Sequence, residues 1–294
     1  MSSADLPHIR ALQVDDLQDA LVLSTSAGWN QRLDDWRLLR SVARGGSFAA
    51  VSGSRIVGTA MAIPYGGFVW IAMMLVEPAH RGRGLGARLL EAAMATVTAD
   101  LPIRLDATPA GRGLYLKYGF EDQAMLTRSV APAGRAVVPA LAGGPAVRAL
   151  TAADLPEVIR ADAAVFGGDR GAVLQWALEQ APQYAHVVDG QSRPRQYCFG
   201  RPGRLFEQVG PVVAADDDSA RALVTSALFS APGRAVVVDA FQERSAFTAW
   251  LRGCGFEGER PLFRMERRPR AAAQPAPQRS GPPVEFAILG PDLA

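Results

Sequence analysis

Val76-Glu77-Pro78-Ala79-His80-Arg81-Gly82-Arg83-Gly84-Leu85-Gly86-Ala87-Arg88-Leu89-Leu90 sets three closely spaced glycines and two arginines between a run of β-formers and an apolar-periodic segment. Glycines without side chains let a ligand approach the backbone closely. Downstream, Leu85, Leu89, Ala93 and Val97 recur at helical spacing, which predicts a helix from about Gly84 to Thr98 with one face fixed against a core. The first N–H groups of such a helix have no partner within it and point into the loop. Together with the helix dipole, Arg81 and Arg83, they form an anion site whose natural guest is a pyrophosphate.

Two other phosphate motifs compete for this stretch. Gly82, Gly84 and Ala87, with Asp106 further on, match a dinucleotide-binding fingerprint. There, however, the glycines follow the strand almost at once, usually in the first βαβ unit. Here Pro78 intervenes after Val76, and two helices and a hairpin come first. A P-loop is excluded because no Lys-Ser or Lys-Thr follows the glycines.

Upstream, Ile56 to Val76 is uncharged and long enough to span a bilayer, but Pro64-Tyr65-Gly66-Gly67 divides it into two runs of β-formers. It therefore reads as a hairpin. Around it the pattern predicts a strand (Ile9 to Leu12), helices (Asp16 to Ser24 and Leu33 to Ala43) and a strand (Phe48 to Val51). After the glycine loop it predicts a strand (Ile103 to Ala107), a short helix (Arg112 to Lys117) and a strand (Gln123 to Val130), an α+β arrangement.

The unit then repeats. Ile9-Arg10-Ala11-Leu12 and Asp16-Leu17 recur as Val147-Arg148-Ala149-Leu150 and Asp154-Leu155. Asp106-Ala107 recurs as Asp239-Ala240, Gly119-Phe120 as Gly255-Phe256, and Leu126-Thr127-Arg128 as Leu262-Phe263-Arg264. Four matches in one order at nearly constant offset indicate a tandem duplication. The expected domains are 1–130 and 146–294, joined by a Pro-, Gly- and Ala-rich linker at 131–145. A second such stretch, Pro269 to Pro283, precedes an apolar run, Val284 to Leu289, expected to return to a sheet as a strand.

The composition agrees with two domains: 294 residues at about 150 per domain, 49% hydrophobic and 20% charged. A net charge of +2 is too even for a protein that coats nucleic acid or an anionic membrane, so any phosphate is held locally. Two cysteines, Cys198 and Cys254, exclude a disulfide framework and a Cys-rich zinc site, and no metal is expected. No signal peptide is read at the N-terminus, and the expected location is cytoplasmic.

The segment resembles the signature of the GNAT (Gcn5-related) N-acetyltransferases, Arg/Gln-x-x-Gly-x-Gly/Ala, through Arg81, Gly84 and Gly86, preceded by a strand ending at Val76 and Pro78. Leu114-Tyr115-Leu116-Lys117-Tyr118-Gly119-Phe120 is similar to that family's later helix and turn. The resemblance covers about Ile9 to Val130, with the second half a degenerate copy. It implies two tandem GNAT-like domains, each a central mixed, mostly antiparallel sheet flanked by helices.

It also implies acetyl-CoA as the acetyl donor, its pyrophosphate on Arg81, Gly82, Arg83, Gly84, Leu85, Gly86 and Ala87 and its pantetheine arm along Leu75 and Val76. A backbone N–H near Val76 would polarise the acetyl carbonyl. Tyr115 would protonate the departing thiolate, and Glu77 or Asp106, directly or through water, would take the proton of the amine. Thr108 stands where the family often has an asparagine beside the pantetheine arm. Acceptor contacts are expected from Trp29, Asn30 and Tyr65, with Trp36 and Trp70 nearby in sequence and more readily core residues.

At an offset of 135, Asp216-Asp217-Asp218 falls on the glycine loop, and at 136 Leu251 falls on Tyr115. Carboxylates at a helix start cap it and repel phosphate, so the second half is expected to be non-catalytic and to cover the acceptor side. The expected activity is transfer of acetyl to a primary amine of a small molecule by direct attack. The alternatives are a CoA-binding sensor that does not turn over, or a protein or peptide N-acetyltransferase.

Overall fold

A computed structural model of the chain describes residues 7–98, 100–136, 144–190, 193–231, 233–269 and 283–294. Residues 137–143 of the expected linker, and most of the stretch 269–283, lie outside the described residues. The chain divides into two compact units, one running to Leu105 and one from Asp106 to Glu266 with the C-terminal strand.

The first unit carries β1 (His8–Ala11), α1 (Leu17–Ser26), α2 (Leu33–Val42), β2 (Ser47–Ser52), β3 (Arg55–Pro64), β4 (Val69–Val76) and α3 (Leu85–Met94), and the unit boundary falls inside β5 (Ile103–Ala107). Strands β1 to β5 lie in chain order, antiparallel except for the parallel pair β4–β5. The uncharged stretch is a hairpin, closed by Tyr65 N–H donating to the Phe68 carbonyl at 3.0 Å. Its strands are apolar almost throughout because α1 and α3 both pack on β3. No described helix is long and apolar enough to cross a membrane.

Helix α3 stops at Met94, short of the expected Thr98. Thr96-Val97-Thr98 is β-branched, and the Thr96 hydroxyl donates to the Ala93 carbonyl at 2.8 Å, so both rotamer restriction and side-chain competition end the helix there.

The second unit holds α4 (Pro109–Lys117), β6 (Glu121–Ala131), β7 (Val147–Ala149), α5 (Leu155–Phe166), α6 (Gly171–Gln180), β8 (His186–Val188) and β9 (Tyr197–Arg201). It continues with β10 (Glu207–Ala214), α7 (Asp217–Phe229), β11 (Val236–Phe241), α8 (Ser245–Gly253), β12 (Glu257–Arg267) and β13 (Val284–Ile288). The strand order is β12-β6-β11-β13-β10-β9-β8-β7.

The repeated residues acquire structural reasons. Arg10 on β1 grips both carboxylate oxygens of Asp16, ahead of α1, at 2.5 and 2.9 Å; Arg148 on β7 grips Asp154, ahead of α5, at 2.7 and 2.8 Å. Each arginine ties a strand to the start of the next helix and holds that carboxyl below its usual range.

The other repeated pair crosses between the halves. β6, from the first half of the sequence, is paired on one side with β11 and on the other with β12, both from the second half. Arg128 on β6 makes two 2.7 Å bonds to Asp239 on β11, and Arg264 on β12 makes two 2.9 Å bonds to Asp106. The duplication boundary near 131–145 and the packing boundary after Leu105 therefore differ, because the last strand of the first half packs with the second.

β13 returns to a sheet, as its apolar run predicts, and enters between β10 and β11. Arg170, buried at the start of α6, anchors it by bonding Asp162 on α5, Glu285 on β13 and the Ala294 oxygen. Arg201 similarly holds Asp292 and the Leu289 carbonyl.

Candidate cofactor and active site

The connection from β4 to α3 runs through residues 77–84. Its start is pinned by Arg81 Nε donating to the Val76 carbonyl at 2.9 Å, after a single 3-10 turn at Pro78–His80. Gly82 and Gly84 adopt φ of +74° and +77°, the left-handed region that other residues rarely enter, and a Cβ at either would meet nothing within 4 Å. Gly84 is the N-cap of α3, so no side chain caps the helix, and its first turn holds no acidic residue. Leu85, Leu89, Leu90 and Ala93 bury its other face. The start of α3 is thus rigidly backed, uncapped and open around Gly82 and Gly84, with Arg81 and Arg83 exposed beside it and Gly86 and Ala87 in its first turn.

Upstream, β4 is bulged. Thr59 on β3 faces Leu75 and Met61 faces Ala72, so Met73 and Met74 share one partner position, and Met73 has φ of +52°. The parallel ladder to β5 is recorded only at Val69 and Trp70, so from Ile71 onward β4 pairs with β3 alone among the described residues. The irregular backbone sits at 73–74, two to three residues before Val76, and nothing in the string Ile71-Ala72-Met73-Met74-Leu75 marks it in the sequence. Beside the end of β4 lies a cleft of about 270 Å³ between Leu75, Val76, Glu77 and Arg81 on one side and Asp19 and Val22 of α1 on the other. Glu77 there accepts a 2.6 Å bond from Arg55 and lies 3.0 Å from His80 Nδ1.

Tyr115 is buried on α4 against Phe120, ring centroids 5.8 Å apart, and burial pushes its phenol pKa up. Thr108 is the N-cap of α4, its hydroxyl accepting from Gly111 N–H at 3.3 Å. With Pro109 in the first turn, this starts the helix before the expected Arg112. Asp106 has both oxygens held by Arg264 and is fully buried, so it is engaged as a structural ion pair.

Of the residues expected to meet the acceptor, Trp29 is half-buried, whereas Asn30 and Tyr65 are buried. Tyr65 packs on Phe68 in the hairpin turn at a centroid distance of 5.6 Å, which encloses its ring. Trp36 and Trp70 are core residues, and Trp36 donates to Ser24 Oγ at 3.2 Å.

The second half differs at each equivalent point. β10 joins α7 through residues 215–216, so the long glycine loop is absent rather than overwritten in place. This corrects the offset of 135: Asp216 takes the N-cap position that Gly84 holds in α3. Its carboxylate accepts from Ser219 N–H at 2.8 Å, and Asp217 and Asp218 fill the first turn. Leu251 lies buried on α8 where Tyr115 lies on α4.

A family model described as an acetyltransferase (GNAT) domain matches residues 43–122, and a second of the same description matches residues 158–278. The uncharacterized N-acetyltransferase YitH of Bacillus subtilis is 26% identical over 217 residues, 73% of this chain and 75% of the relative. A solved protein of Pyrococcus horikoshii, provisionally assigned as an acetyltransferase, superposes with a TM-score of 0.72 at 21% identity, covering 98% of this chain and 96% of that one. A tandem GNAT protein from the clavulanic acid biosynthesis pathway superposes with a TM-score of 0.62 at 16% identity, covering 92% and 99%. The chain belongs to the GNAT acetyltransferases and carries two such domains in tandem.

Proposed function

We propose that the first half transfers acetyl from acetyl-CoA to a primary amine of a small molecule by direct attack, and that the second half is non-catalytic. The observation that carries this reading is the uncapped start of α3 behind two left-handed glycines. Helix N–H groups left without a side-chain cap are favourable only with an anion or water on them, and a pyrophosphate satisfies them together with Arg81 and Arg83. The donor's acetyl carbonyl is assigned to the backbone N–H groups of the Met73–Met74 bulge, donors fixed in place before charge develops.

Glu77 is the proposed base, acting directly or through water. It lines the cleft, with His80 Nδ1 3.0 Å away. Asp106 is set aside because Arg264 occupies both its oxygens. Tyr115 is the proposed acid; its raised pKa keeps the phenol protonated across the ordinary pH range, as a donor requires.

Release of free thiol from acetyl-CoA with a panel of primary amines tests the reading. Tyr115→Phe is expected to lower kcat at least tenfold while KM for acetyl-CoA stays within about twofold. Thiol release with no amine, despite acetyl-CoA binding, would favour a non-turning sensor.

A further inference from the structure

The β4 bulge is an unfavourable piece of backbone that something must hold. Met73 has a left-handed φ, which is unfavourable for a residue other than glycine. The Thr59 hydroxyl, on β3 and fully buried, donates a 2.7 Å hydrogen bond to the carbonyl of this same residue. A side-chain hydroxyl thus supplies the bond that the interrupted ladder cannot, and it fixes the peptide joining Met73 to Met74.

The second half provides the contrast. β10 is also irregular, between Val209 and Val212. By register, Val212 follows that irregularity and faces Cys198, as Leu75 follows the first bulge and faces Thr59. The thiol of Cys198 is 3.4 Å from the Tyr184 carbonyl and 3.5 Å from that of Leu223, both off the irregular segment. The irregular segment is backed instead by β13. Gly210 has no Cβ, and one placed there would lie 2.0 Å from the Ile288 carbonyl. Where a strand fills the position beside the bulge, the hydroxyl clamp is gone; where β4 lacks that neighbour, the clamp is present.

We propose that Thr59 is a positioning residue for acetyl transfer: its hydroxyl locks the Met73–Met74 bulge so that the bulge N–H groups meet the acetyl carbonyl. This rests on the transferase reading above. It distinguishes acetyl-CoA from CoA, since only the former has a carbonyl for the bulge to bind. Hydrogen bonds from positioned backbone donors to such an oxygen are lost when the donors move by even a fraction of their length.

The test is calorimetric titration of the full chain with acetyl-CoA and, separately, with CoA, for wild type, Thr59→Val and Thr59→Ser. Valine keeps the shape and removes the donor; serine keeps the donor. The expected result is an acetyl-CoA affinity at least fivefold weaker in Thr59→Val, CoA affinity within twofold of wild type, and acetyl-CoA affinity restored to within twofold by Thr59→Ser. CoA binding by Thr59→Val also reports that the variant is folded. Equal losses for both ligands, or no loss for either, with wild type binding normally, would overturn the clamp alone. If wild type bound neither ligand, the transferase reading would fall and the clamp with it.

Discussion

Helices α3 and α7 occupy equivalent places in two copies of one ancestral unit, yet they begin in opposite ways. α3 starts at a glycine with no side chain to offer, after a loop whose left-handed residues leave open space above it. α7 starts after a two-residue connection, capped by Asp216 and followed by Asp217 and Asp218. The first helix lacks a charge partner and the second supplies its own. The same opposition recurs beside the strands that precede them: among the described residues β4 pairs with β3 alone beyond Trp70, whereas β10 is flanked by β9 and β13. On the proposed reading, the second half forgoes the donor site through a shorter connection, carboxylates at the helix start and a strand beside the sheet.

The largest expected effect comes from taking that strand away. Removing residues 284–294 deletes β13 and takes Glu285 and the C-terminal oxygen away from Arg170, whose side chain is fully buried. Arg170 would keep Asp162 alone, and β10 and β11 would lose the strand between them, so the variant should lose its cooperative melting transition. A wild-type melting curve would show that β13 is an accessory rather than a replacement for a lost neighbour. Ending the chain after Ala131 should fail similarly, since β6 would lose both β11 and β12.

Next in size are the crossed ion pairs. Asp239→Asn and Asp106→Asn each leave a partly buried arginine facing a neutral amide, at a cost of about 2–3 kcal/mol in chemical denaturation, below the figure of about 3–5 for a fully buried pair. If the two halves remain related by their retained Arg–Asp pairs, the costs should be similar; a difference of several kcal/mol would show that only one pair is structural.

A smaller effect separates the helix starts. Asp216→Ala removes the cap of α7 and should cost about 1 kcal/mol of stability. It should leave acetyl-CoA binding unchanged, and any gain of a second binding site would mean that carboxylates alone had closed the second half.

Smallest is the strand-to-helix tie. Asp154→Asn should cost about 0.5 kcal/mol at neutral pH, discounted because Arg148 is partly exposed. The folded pKa of Asp154 lies below its ordinary value of 3.8, so its contribution is complete above about pH 4 and is lost as pH falls further. Wild type and variant should therefore converge in stability in acid, and a constant difference down to pH 2 would refute the pairing. The Arg10–Asp16 tie should behave alike.

Much of this was legible in the sequence, for identifiable reasons. Element order followed from period and turn chemistry, and the α3 cradle from Arg81, Gly82, Arg83, Gly84 and Gly86 in one short string. The duplication was visible because the Arg and Asp of each ion pair persist in both copies. What could not be read is where those pairs go: Arg128 and Asp239 are far apart in the chain, and no local pattern says that β6 packs with the other half's strands. The Met73–Met74 bulge was hidden because register depends on the partner strand, and Thr59 looks like any other β-branched residue in an apolar strand. Asp106 read as a base candidate because a lone carboxylate after apolar residues asks for a partner; the partner, Arg264, is supplied by tertiary structure. The shortened loop before α7 escaped a constant offset because a deletion shifts the register between landmarks.

The claim that one half holds the donor and the other has lost the ability is tested most directly by calorimetric titration of the intact chain with acetyl-CoA, wild type beside Gly84→Asp. That substitution places at the start of α3 the residue type that starts α7, puts a carboxylate in the open space beside it, and strains the left-handed backbone there. The account predicts one equivalent bound by wild type, and affinity at least a hundredfold weaker in the variant, about 2.7 kcal/mol. Two equivalents in wild type, or one equivalent undiminished by Gly84→Asp, would contradict it.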